Sequence, residues 1–158
     1  MRKWLVRVLV VGGLGFLALQ LVPLGRIDNP PVTQDAPWPS EQARSLAVAA
    51  CYDCHSNETD VRWFDRIAPG SWLVAQHVDE GRSILNFSTW DRPQPSDEDD
   101  WHDAVEDGDM PPRSYTMLHP NARLSDAERE VLVGALRQLE GDDRGRNRGR
   151  GGRDDDEG

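Results

Sequence analysis

The run AACYDCHSN, residues 49–57, holds the only two cysteines of this 158-residue chain, separated by two residues and followed directly by His55. Three chemistries compete for such a run. A structural zinc site needs four Cys or His ligands, usually from two knuckles. Beyond the motif only His77, His102 and His119 remain, and none is paired at zinc-finger spacing. A dithiol oxidoreductase places its pair at the start of a helix that follows a strand. Here the pair ends an Ala-rich helical pattern with no strand before it. Covalent haem attachment is the third, and C-x-x-C-H is its signature: the cysteine spacing matches two vinyl groups and the adjacent histidine falls over the iron. The sequence therefore predicts Cys51 and Cys54 as thioether anchors of one haem c, with His55 as the proximal iron ligand.

Ahead of the motif, Val8 to Gly25 is an uncharged, mostly apolar run of 18 residues preceded by Arg2, Lys3 and Arg7. That length just reaches a bilayer-spanning helix. A cleaved signal peptide would end on small residues of the A-x-A kind, and Ala18-Leu19-Gln20 is the nearest approach. The pattern favours an uncleaved signal anchor over 1–25. The basic residues on its leading side place the N-terminus in the cytoplasm and the rest outside. The expectation is a single-pass protein of the bacterial inner membrane with its domain on the periplasmic side, where covalent haem is assembled.

Residues 26–39 contain four prolines and no helical period, so they read as an extended linker or wrap. From Ser40, a good N-cap, Ala43, Leu46, Ala47, Ala50, Cys51 and Cys54 recur at three- and four-residue spacing on one helical face. Further helices are expected at 71–81, closed by Gly81, and at 96–107, stopped by Gly108. A last helix starts at the Ser125–Glu128 capping box and ends at Gly141. No strand pattern stands out, so 40–140 is predicted to be an all-α, cytochrome c-like domain around one haem. The tail, 141–158, has no apolar residue and reads as disordered. Five of the six tryptophans lie between residues 38 and 101. They suit either a flat apolar ligand or a small core short of buried area.

A second axial ligand is needed for a low-spin carrier. Met110, in DGDMPPR, is favoured because Pro111 and Pro112 stiffen the loop and lower the cost of ordering a weak thioether ligand. Met117 is the alternative, with core filling as its other use. His77 and His102 sit among charged residues, where exposure is the ordinary fate. His119, before Pro120, suits a propionate hydrogen bond or a turn. Pro69 is the candidate to offer its carbonyl to the second ring nitrogen of His55, which such ligands normally engage; a turn before the following helix is its other use. Residues 26–140 carry 22 acids against 10 arginines, which excludes nucleic acid as the expected partner. Asp97, Glu98, Asp99, Asp100, Asp103, Glu106, Asp107 and Asp109 either steer basic redox proteins or form the wet face of the third helix.

The run CYDCHSNETDVRWFDRIAPGSWLVAQHVDEGRSILNFSTW, with DGDMPPRSYTMLHPNARLSDAE after it, resembles the haem-binding-domain family of small bacterial monohaem c-type cytochromes. The resemblance spans roughly residues 20–140. It implies a membrane anchor, an extracytoplasmic cytochrome c-like domain, proximal His55 and distal Met110. Asp60, Val61 and Arg62 stand where the family is more aromatic. The expected function is a membrane-tethered single-electron carrier rather than an enzyme. The alternatives are a haem sensor or peroxidase-like protein with a labile distal ligand, or a relay subunit of a larger oxidoreductase.

Overall fold

The computed structural model describes residues 1–22, 25–94 and 101–151. Among these residues the chain is helical, and its one extended pairing is an isolated parallel bridge between Gln34 and Thr89. The order is α1 (Arg2–Leu19), α2 (Glu41–Ala50), α3 (Tyr52–His55), α4 (Gly70–Ile84), α5 (Trp101–Glu106), α6 (Arg113–Leu118) and α7 (Asp126–Gly151). Short 3₁₀ turns stand at Phe64–Arg66 and Pro120–Ala122. The all-α expectation holds.

Local signals act where the chemistry requires. The Ser40 hydroxyl accepts the Ala43 N–H at 3.1 Å and starts α2. At α7 the Glu128 carboxylate takes the Ser125 N–H at 2.8 Å while the Ser125 hydroxyl faces the Glu128 N–H at 3.4 Å, a reciprocal capping box. Gly108 adopts φ +81°, a left-handed conformation that suits glycine, just beyond α5. α5 lies against α7, α7 also packs on α2, and α3 packs on α4. Between them Phe87, Trp90, Leu132, Leu136 and Leu139 form the core together with Tyr52 and Ala47. Trp90 is thus a core residue, whereas Trp63 is 75% exposed. The proline-rich segment wraps this core: Ala36 N–H donates to the Phe87 carbonyl at 2.8 Å and Trp90 N–H to the Gln34 carbonyl at 2.9 Å.

Three expectations are corrected. α4 continues through Gly81 to Ile84, because this glycine serves close packing rather than termination. α7 does not end at Gly141 but runs ten residues further, to Gly151. Its extension is held by Asp143, which is buried, and by Arg146, whose guanidinium lies 5.1 Å from the Trp90 ring centroid and donates to the Trp90 carbonyl. Of the tail expected to be disordered, residues 152–158 lie outside the described residues. The third helix is described from Trp101 to Glu106, and the start expected for it at residue 96 lies, with Asp97, Glu98, Asp99 and Asp100, outside the described residues. Finally, among the described residues no helix is long and apolar enough to cross a membrane. α1 begins at Arg2 and so carries three basic side chains, and the chain leaves it at Gln20, before the apolar run from Val8 is finished. α1 buries no residue. Its end is fixed by paired bonds between the Gln20 carboxamide and the Ala68 backbone, at 3.1 and 3.0 Å.

Candidate functional site

α2 stops at Ala50 because Cys51 takes φ −124°, yet the hydrogen bonds run on: Cys51 N–H to Ala47, and both Cys54 and His55 N–H to the Cys51 carbonyl. Cys51, Cys54 and His55 therefore stand at i, i+3 and i+4 of nearly continuous helix, on one face. Both thiols are free and half-buried. Burial pushes Cys51 up to about 12, with Cys54 nearby adding to it. Burial, and then the charge of Asp53, pushes Cys54 up to about 11. A shift in this direction runs against the activated thiolate that a dithiol catalyst needs.

His55 is oriented by its second nitrogen. Nδ1 lies 3.2 Å from the Leu85 carbonyl oxygen, which can only accept, so Nδ1 carries the proton and Nε2 keeps its lone pair. Burial, opposed by hydrogen bonds to Leu85 and Gly81, pulls the imidazole below its usual range and keeps it neutral. This is the arrangement of a metal-binding histidine with its outer hydrogen bond in place. Pro69 does not supply that bond: its carbonyl accepts the Trp72 N–H at 3.1 Å and starts α4. Leu85 supplies it instead. A carbonyl carried by any residue type, 30 positions away, leaves no mark in sequence.

The close approach of α4 depends on Gly81. A β-carbon there would lie 2.5 Å from the Cys54 carbonyl oxygen and 3.1 Å from the Cys54 β-carbon. Next along the helix, the half-buried Arg82 spends its guanidinium on four acceptors: the Ser56 carbonyl at 2.7 Å, Asp28 carbonyl at 2.7 Å, Asn29 Oδ1 at 2.9 Å and Thr59 Oγ1 at 3.0 Å. The Asn86 carboxamide donates to Asn57 Oδ1 at 2.9 Å, and Ser88 Oγ accepts the Asn57 N–H at 2.9 Å. SNET, EGR and LNFS, remote in sequence, thus form one polar clamp behind the cysteine turn. The runs themselves are recognisable in the sequence, but their purpose is not, since each half lacks its partner until the chain folds.

The other candidates are dispersed. Met110, 39% exposed, follows Gly108 in the loop after α5, and its N–H donates to the Ala104 carbonyl at 2.8 Å. Met117, 73% exposed, stands on α6. His77 is exposed on α4. His102, expected at the surface, is instead largely enclosed, with Nδ1 2.8 Å from the buried carboxylate of Glu140. His119 is buried, its Nδ1 2.9 Å from the Tyr115 carbonyl.

Beyond α1, exposed large apolar side chains include Leu73 and Ile84 on α4, Trp63 and Ile67 about the first 3₁₀ turn, and Leu118 on α6 beside Met117. The donor set, two thiols and an oriented imidazole on one turn, fits haem, whose iron takes imidazole. Cys51, Cys54 and His55 would hold it. No curated protein and no solved structure matches the chain. Residues 14–138 match the family described as haem-binding domain, which is the group the thiols and imidazole fit. The chain belongs to the haem-binding domain family.

Proposed function

We propose that this protein is a monohaem c-type cytochrome that carries single electrons, with its haem bound through thioethers to Cys51 and Cys54. The observation that carries the reading is the single turn that presents two free thiols and an imidazole whose Nδ1 is engaged by Leu85. Haem supplies a one-electron iron couple when bound. The chain's own contribution is to fix the imidazole of His55, exclude water behind it with Phe87 and Leu85, and offer a second ligand. Met110 is that ligand in our reading, because Gly108 and the Ala104 bond pre-order its loop while Met117 projects from an exposed helix turn. A His/Met pair raises the potential relative to bis-His. That suits exchange with protein redox partners, of basic surface if the exposed Asp103, Asp107 and Asp109 contribute to docking.

The same reading assigns α1 a tethering role on the outer face of a bacterial inner membrane. Its support is an apolar helix with no buried residue, led by Arg2, Lys3 and Arg7. Binding of the full chain to anionic phospholipid vesicles, lost on removal of residues 1–22, would support the tether; an intact chain that does not bind them would contradict it.

The ferric optical spectrum tests the function. Low-spin haem with the weak sulfur-to-iron band, lost in Met110→Ala and kept in Met117→Ala, is expected. A high-spin spectrum, or a band that survives Met110→Ala, would contradict the assignment.

A further inference from the structure

α6 is a short helix with no buried residue, so burial of apolar surface does little to fix it. It begins directly after Met110-Pro111-Pro112, and it makes one strong contact with the haem-attachment turn. The Tyr115 hydroxyl donates to Asp53 Oδ2 at 2.7 Å, and Asp53 lies between the two cysteines. The remaining acceptors of Asp53 face another way: its Oδ1 takes the Asp60 N–H at 2.9 Å and its carbonyl takes the Thr59 hydroxyl at 2.8 Å. Tyr115 is itself held from the other side. Its ring stacks on His119 with centroids 3.9 Å apart and planes 9° from parallel, and His119 Nδ1 returns a bond to the Tyr115 carbonyl. The Phe64 ring meets the edge of His119 at 6.3 Å.

The Met110 loop is therefore fastened at two ends. At its entrance the Met110 N–H is tied to α5 through Ala104, and at its exit α6 is tied to the cysteine turn through Tyr115. We propose that Tyr115 is a positioning residue, its hydrogen bond to Asp53 serving as the latch that keeps the distal-ligand loop closed over the haem-binding turn. The role at the iron rests on the reading of Met110 as distal ligand; the mechanical role does not. A phenol donating to a carboxylate is a charge-assisted bond. Its loss should release the loop locally while leaving α2, α4 and α7 in place.

The test is Tyr115→Phe in the full haem-loaded chain, which keeps the ring and its stacking on His119 and removes only the hydroxyl. Hydrogen exchange of the 109–118 amides should speed up by about tenfold, with α2 and α4 unchanged. Imidazole, competing for the distal position of ferric haem, should bind about tenfold more tightly. A double cycle with Asp53→Asn should be non-additive, since both changes act on one bond. Exchange that is unchanged at 109–118, or that rises equally across the domain, overturns the latch. Faster loop exchange with unaltered imidazole affinity overturns its role at the iron. A parent protein without the sulfur-to-iron band would sink the Met110 reading alone, because loop exchange still judges the latch.

Discussion

A missing β-carbon sets how closely α4 can approach the cysteine turn. Alanine at position 81 would drive its methyl into the Cys54 carbonyl, a backbone atom that cannot swing aside. Gly81→Ala is expected to destabilise the fold by about 1–3 kcal/mol and to reduce the fraction of chains that retain haem. Gly141, inside α7, provides the contrast, because a methyl group there would meet nothing within 4 Å. Gly141→Ala should stabilise by about 0.5–1 kcal/mol through helix propensity, and urea melts of the two variants should move in opposite directions. Tyr52 gives a residue-scale pH prediction. Burial, with the hydrogen bond its hydroxyl donates to Asp35 at 2.6 Å, holds its phenol proton above the usual range. Below the unfolded value of about 10 both states keep the proton; above it the unfolded chain releases a proton that the fold retains, so stability falls as pH rises. Melting between about pH 9 and 12 should show the decline set in above about pH 10, and Tyr52→Phe should lessen it. At this scale Cys51, Cys54 and His55 were legible because their spacing is local and their chemistry is in the side chains. Leu85 was not, because it acts through its backbone.

At the scale of elements, helix starts were easier to read than helix ends. Ser40 and the Ser125–Glu128 box are local hydrogen-bonding devices and appear in the structure as expected. Gly81 and Gly141 carry the same letter as a helix stop, but tertiary contacts on either side keep both within helices. The extension of α7 beyond Gly141 has no apolar residue, which hid it from hydrophobic periodicity. It docks instead through an arginine over an indole and a buried aspartate, with Arg146 bonded to Asp143 at 2.7 Å. Arg146→Ala should therefore cost about 1–2 kcal/mol, read as a lower urea midpoint. It should also raise hydrogen exchange in the last turns of α7. An unchanged midpoint would mean that the extension lies on the domain without stabilising it. The polar clamp belongs to this scale as well. Arg82→Leu removes one donor group from four acceptors, and a loss of about 2–4 kcal/mol is expected, measured by chemical unfolding.

For the whole molecule, the helical class and the family followed from patterns spread along the chain, and residues 14–138 carry the family match. The cysteine turn, the clamp and the Tyr115 latch converge on Asp53 and its neighbours from segments up to 62 positions apart. That convergence exists only once α4 and α6 have packed against the motif. The assembled picture is a helical domain whose cysteine turn is backed by the polar clamp and bonded through Asp53 to Tyr115 of α6. The decisive measurement is the mass of the full-length protein after unfolding, together with its pyridine haemochrome spectrum. The protein should be produced alongside a covalent haem-attachment system. One haem should stay with the denatured chain through two thioether bonds, and none should remain when Cys51 and Cys54 are both replaced by alanine. A chain that sheds its haem on unfolding, or that binds it equally well without the two cysteines, would contradict covalent attachment at this turn.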